Sequence, residues 1–242
     1  MEVDSKQMQL LVQEIQQALE ACADPVKRDF LPRFFKTGKG QYGEGDCFLG
    51  VMVPFIRRVA RQYKEAPLAD VEQLLQSPWH ECRMCALLIL VEQFKKGDDC
   101  QRKVIYDFYL AHTDRINNWD LVDLTAPAIV GEYLVHQPRT DLYTLADSTW
   151  LWNQRIAVVA TLALIRKRDF TDILALAERL LTHRHDLMHK AVGWMLREMG
   201  KRNKDLLLQF LEKHSTVMPR TMLRYSIEKL PEAERRYFMQ RR

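Results

Sequence analysis

Residues that break helices are scarce in this sequence. Its 242 residues include only 9 glycines and 9 prolines, and four of the glycines crowd into one stretch, "GKGQYGEGD" at 38–46. Strand-like alternation of apolar and polar residues is equally rare, which argues against a β fold. Long apolar runs are missing too: none reaches the ~18 residues that suggest a membrane span. The N-terminal "MEVDSKQMQLLVQEIQQALEACADP" is acidic and amphipathic, without the basic-then-apolar pattern of a secretory leader. No membrane partner is expected.

Cysteines are few and odd in number: Cys22, Cys47, Cys82, Cys85 and Cys100. They indicate no disulfide framework, and a reducing cytoplasm is the expected location. Cys82 and Cys85 form one CxxC, but no second pair and no histidine stands at zinc spacing, so a buried helical pair is expected rather than a metal site. "GKGQYGEGD" lacks the preceding strand and the Gly-Lys-Ser/Thr of a phosphate-cradling loop, and reads as a connection between N-terminal helices. His183, His185 and His189 suit a helix entry and match no known ligand set. Trp150 and Trp152 open a helix and read as packing residues. No cofactor is called for.

A strong charge of either sign is absent as well. The formal net charge of +4 fits a nucleic-acid partner without demanding one. Its distribution is more informative. "LIRKRD", "LTHRHDLMHK" and "LREMGKRNK" place basic residues at segment ends in the second half. Such ends grip phosphates, or they are solvated helix termini whose Lys and Arg favour the negative end of the macrodipole.

What the sequence does have is helix. Leu, Ala, Glu, Lys, Arg and Gln dominate, all good helix formers. Apolar residues fall at helical spacing in "PFIRRVARQY", "LADVEQLLQS", "HECRMCALLILVEQFKKGD", "CQRKVIYDFYLAHT", "TDLYTLADS", "LWNQRIAVVATLALIRKRD", "TDILALAERLLTH", "DLMHKAVGWMLREMGKRN" and "KDLLLQFLEKH", with short polar loops between them. One register repeats. Arg155 and Lys190 are 35 residues apart, and Arg83 and Arg155 are 72 apart, or twice 36; the missing member falls at Trp119. A period of this size with two helices per unit is the mark of a HEAT-like α-solenoid, in which stacked units line a concave groove. The expectation is one all-α domain over 1–242, with N-terminal helices and a Gly-rich connection over 1–50 and helix-pair repeats over 51–242.

In such an array Trp119, Arg155 and Lys190 form one column. Asp123, Val159 and Trp194, one helical turn later, form a second. An ordinary interior has no need of two tryptophans, an acid and two bases. The segment "NNWDLVDLTAP" adds two anomalies. Asp120 and Asp123 repel each other at i, i+3 spacing. Pro127, lacking an N–H, cannot bond the carbonyl of Asp123, so the helix should kink beside the acid. Either both aspartates face solvent with Trp119 as core, or the stretch is a site.

The motifs "NNWDLVDLTAP", "WNQRIAV" and "KAVGWMLREMGK", in that order, resemble those of the DNA alkylation repair glycosylases of the AlkD type, which are built from HEAT-like repeats. "FFKTGKGQYGEGDCFLGVMVP" is similar to that family's lead into its first repeats, so the resemblance covers nearly the whole chain. It implies a monofunctional glycosylase that cleaves the N-glycosidic bond of purines alkylated at ring position 3 or 7 in double-stranded DNA, with neither metal nor cofactor; a solenoid of this length is expected to be a monomer. It matches Trp119, Asp123, Arg155 and Trp194 to the catalytic positions. It places Phe34 where the best-known members carry a tyrosine, so stacking is kept and a hydroxyl lost. Phe34, Lys190, Arg197 and Lys201 are the expected DNA contacts. Asp123 would stabilise the cationic sugar and orient water, the tryptophans would flank the sugar, and Arg155 would hold a phosphate or pair with Asp123. The competing expectation is a non-catalytic HEAT-like module that binds DNA or a protein through the same groove.

Overall fold

The computed structural model describes residues 2–241, with side-chain packing from Leu10 onward. The fold is an all-α helical repeat; among the described residues no strand forms, and one isolated bridge joins Cys47 to Trp79. Among the described residues no helix is long and apolar enough to cross a membrane. Packing divides the chain into two compact units, one ending at Leu121 and one beginning at Val122.

The first unit contains α1 (Glu2–Glu20), α2 (Pro25–Phe34), α3 (Val53–Gln62), α4 (Leu68–Leu75), α5 (His80–Lys96) and α6 (Asp99–Ala111). At its centre lies α5, which touches α1, α3, α4 and α6. Its sequence explains this. Apolar residues run almost all round it, so only Glu92, Gln93, Lys95 and Lys96 escape burial, and a helix apolar on every side is stable only when enclosed. Cys82 and Cys85 lie fully buried on it as free thiols. By contrast α2 buries no residue, and its apolar row Val26, Phe30 and Phe34 is exposed.

The second unit repeats the plan. Its elements are α8 (Glu132–Leu134), α9 (Thr140–Ala146), α10 (Leu151–Arg166), α11 (Thr171–Arg179), α12 (Asp186–Gly200), α13 (Lys204–His214), α14 (Arg220–Ile227) and α15 (Glu232–Gln240). Here α10 is the enclosed helix, buried except at Leu151, Asn153, Gln154 and Arg166, and it packs on α9, α11 and α12. In the same unit α12 packs tightly on α14. A Cβ at Gly193 would lie 2.5 Å from both Met222 O and Tyr225 Cβ, so only glycine lets these backbones approach.

The helices α3 to α6 and α9 to α13 coincide with the stretches marked by the apolar spacing. Two features differ from expectation. Periodicity did not mark α14 and α15, which are short; α14 carries Arg220 and Arg224, and α15 two glutamates and two arginines. Trp150 is not a packing residue: it precedes α10 as the N-cap and is 43% exposed, whereas Trp152 is buried.

Candidate functional site

The segment "NNWD" opens α7 (Trp119–Thr125), the helix that carries the boundary between the units. Each of its four residues is tied down within the first unit. Asn117 and Asn118 each donate a side-chain N–H to Asp46, at 3.2 Å. Asn118 Oδ1 also accepts the Trp119 N–H at 2.8 Å, satisfying a helix-start donor that would otherwise lack a partner. Trp119 packs its indole on Phe35, with ring centroids 5.3 Å apart, and meets the edge of Phe34 at 6.0 Å. Asp120 is buried and faces His80 Nε2 at 2.8 Å.

His80 joins these contacts. Its other nitrogen, Nδ1, lies 3.3 Å from Asp46 Oδ2, and its ring stacks on Phe48 and tilts against Phe35. Burial by itself would push the imidazole towards the neutral form. The carboxylates of Asp120 and Asp46 at its two nitrogens outweigh that and raise its pKa to about 9. Burial would likewise raise Asp46, but His80, Arg83 and Asn118 hold it below the usual carboxylate range. Arg83 donates to Asp46 Oδ1 at 2.6 Å and to the carbonyls of Ser77 and Pro78. The loop bearing Phe48 is pinned separately, because the buried Glu81 carboxylate accepts the N–H groups of Leu49, Gly50 and Val51. Sequence reading missed Asp46, His80 and Arg83 as a group. The available signal was Arg83 itself, which shares the repeat register of Arg155.

Past Thr125 the helical ladder changes. Residues Pro127–Gly131 form a π-helical turn, in which the Gly131 N–H reaches back five residues to Ala126 O at 2.9 Å. Pro127 supplies the reason: it has no N–H for the carbonyl of Asp123 and its ring crowds that carbonyl. The expected break beside the acid therefore takes the form of an inserted residue in the ladder. The turn seats on α10, where a Cβ at Gly131 would come within 2.3 Å of Ala160 O.

Asp123 and Arg155 meet within the second unit. Arg155 Nε and Nη2 donate to the two carboxylate oxygens, each at 2.8 Å, and Nη1 donates to Leu187 O at the start of α12 at 2.6 Å. This is a bidentate fork, which fixes orientation as well as distance. The Arg155 side chain is 5% exposed and that of Asp123 17%, so the acid keeps an open edge while the guanidinium is enclosed. Of the two uses considered for Arg155, the pair with Asp123 is the one formed. Neither aspartate of the opening stretch faces solvent unpaired: Asp120 has His80 and Asp123 has Arg155.

The other expected site residues lie as follows. Trp194 is half-buried on α12, and Val159 of its column is fully buried on α10. Phe34 is 50% exposed and stacks with Phe30 at the end of α2. Lys190 pairs with Asp186, Arg197 with Glu228 and Lys201 with Glu198, all on or near the surface.

Residues 15–230 match the family model described as DNA alkylation repair enzyme. The chain belongs to that family. A solved structure, a predicted DNA alkylation repair enzyme from Enterococcus faecalis, has a similar fold. Its TM-score is 0.67 and its identity 17%, over 87% of this chain and 97% of that one. No curated protein matches in sequence. The stretch matched to the DNA alkylation repair enzymes holds all the candidate residues from Phe34 to Lys201, together with Asp46 and His80.

Proposed function

We propose that the protein is a monofunctional DNA glycosylase that hydrolyses the N-glycosidic bond of 3- or 7-alkylated purines in double-stranded DNA. The observation that carries this reading is the fork between Asp123 and Arg155, which presents an oriented, partly open carboxylate where a DNA-binding face would gain nothing from one. A 7-alkylated purine already bears positive charge and leaves readily, so the protein's task lies with the sugar. As the bond breaks, the sugar becomes a cation resembling an oxocarbenium ion. A fixed carboxylate stabilises that charge and orients or deprotonates the attacking water. Trp119 and Trp194, the tryptophans that the motif resemblance matches to catalytic positions, would supply π-faces for such a cation, an attraction of roughly 0.5–2 kcal/mol each. Arg155 positions Asp123.

Phe34, Lys190, Arg197 and Lys201 serve as DNA contacts in this reading. The present ion pairs of Lys190, Arg197 and Lys201 are no obstacle. Surface pairs of this kind contribute roughly 0–1 kcal/mol, so exchanging a carboxylate for a phosphate costs little.

The test is release of 3- or 7-methylpurine from methylated duplex DNA. Wild-type protein should release free base, and Asp123→Asn should slow release by about 100-fold or more, in line with the loss of one preorganised charge. Binding of DNA without base release by the wild type would favour a non-catalytic HEAT-like module. Full activity in Asp123→Asn would remove Asp123 from the mechanism.

A further inference from the structure

Both nitrogens of His80 face a carboxylate, Asp46 at 3.3 Å and Asp120 at 2.8 Å. Only a ring with two N–H groups serves both; a neutral imidazole has one and leaves one buried carboxylate facing a lone pair. The charged groups around the ring come from every element packed against it. Asp46 belongs to the loop before α3, Asp120 to α7, and Arg83 to α5, which His80 itself opens. Two separate routes lead from this ring to Trp119. One is covalent, since Asp120 is the next residue along α7. The other runs through Phe35, whose ring centroid lies 5.0 Å from that of His80 and 5.3 Å from that of Trp119. Asn117 and Asn118 draw the same helix start onto Asp46.

We propose that His80, doubly protonated between Asp46 and Asp120, is the positioning residue that fixes the Trp119 indole and the first turn of α7 for base excision. It touches neither DNA nor sugar. It holds the aromatic face that does, and rests on the glycosylase reading for its catalytic meaning. Loss of one ring proton releases either Asp120, freeing the first turn of α7, or Asp46, freeing the two asparagines. In both cases the indole loses its fixed orientation while the fork between Asp123 and Arg155 stays intact.

Two measurements decide this. The first is ¹H–¹⁵N NMR on the full chain, with the Trp119 indole N–H assigned by its absence in Trp119→Phe. The His80 ring should show two protonated nitrogens at pH 7, and the indole signal should move together with the His80 titration on the alkaline side. The second is methylpurine release against pH for wild type and His80→Gln. The substitution should lower the turnover rate about 10- to 100-fold with little change in KM. It should also flatten the alkaline decline that the wild type shows while circular dichroism reports a folded protein. An indole signal indifferent to the His80 titration overturns the proposal whether or not the protein is an enzyme. So does a His80→Gln variant with the wild-type rate and pH profile. If wild type releases no base at all, the glycosylase reading falls, and the indole titration alone then decides whether His80 anchors Trp119. Should His80→Gln fail to fold, Asp120→Asn, which keeps the ring and weakens one partner, must reproduce the rate loss.

Discussion

The buried pair of carboxylates around His80 makes folding stability depend on pH in a definite direction. An unperturbed histidine titrates near 6.5, while that of His80 is raised to about 9, burial opposing the shift and Asp120 and Asp46 prevailing. A group whose pKa is higher in the folded state binds protons more tightly there, so its contribution is fully present below about pH 6.5 and is lost as pH rises through about 9. At about 1.4 kcal/mol per tenfold change in proton affinity, the displacement amounts to roughly 3 kcal/mol. Most of this should vanish between pH 6.5 and 9, a large share of the ~5–15 kcal/mol typical of a folded domain. Asp46 lies outside this window: its lowered pKa affects stability only on the acid side, where the contribution is lost as pH falls. Burial also raises the thiols of Cys82, to about 11, and of Cys85; unfolded thiols ionise from about pH 8.5, so both cost stability at the upper edge of the window, equally in wild type and in His80→Gln. The acidic edge of the window is shared with His183, whose pKa burial and the neighbouring His185 and His189 lower, giving the opposite slope. His80→Gln retains His183 and so isolates the effect of His80. The assay is urea unfolding at pH 6.5, 8 and 9 for both proteins. Wild type should lose about 2–3 kcal/mol relative to the variant across that range. Parallel pH dependence in the two proteins would refute the claim that His80 is charged in the folded state.

The fork in the second unit predicts a non-additive cycle. Arg155→Met should cost about 3–5 kcal/mol in urea unfolding, because it strands a mostly buried carboxylate. Adding Asp123→Asn should recover part of that loss, and simple additivity of the two changes would show that the pair is uncoupled. On DNA, Lys190→Ala should weaken binding and reduce the slope of log affinity against log salt by about one phosphate contact. An unchanged slope removes Lys190 from the contact surface.

The sequence by itself determined the all-α repeat and the helices α3 to α6 and α9 to α13. That follows because helix formation and burial of one face are local matters, set by propensity and by the spacing of apolar residues. Periodicity also singled out Trp119, Arg155 and Lys190, and Pro127 marked the place where the ladder breaks, since a missing N–H acts on its own turn. The apolar spacing was not followed into α14 and α15, although α14 buries Met222, Leu223, Ser226 and Ile227 along one face. Partners across long stretches of chain were decided only by tertiary structure. Arg83 and Arg155 occupy the same register, and each holds an aspartate, but one aspartate is Asp46 in a glycine-rich loop and the other Asp123 on α7. Spacing tells which face a side chain occupies and nothing about which distant charge will meet it. In "NNWD" the polar residues read as an anomaly because their reason lies elsewhere in the chain, in Asp46 and His80. Burial around His80, which leaves Asp46 and Asp120 little exposed and facing its two ring nitrogens, is what turns these ordinary residues into the proposed charged anchor.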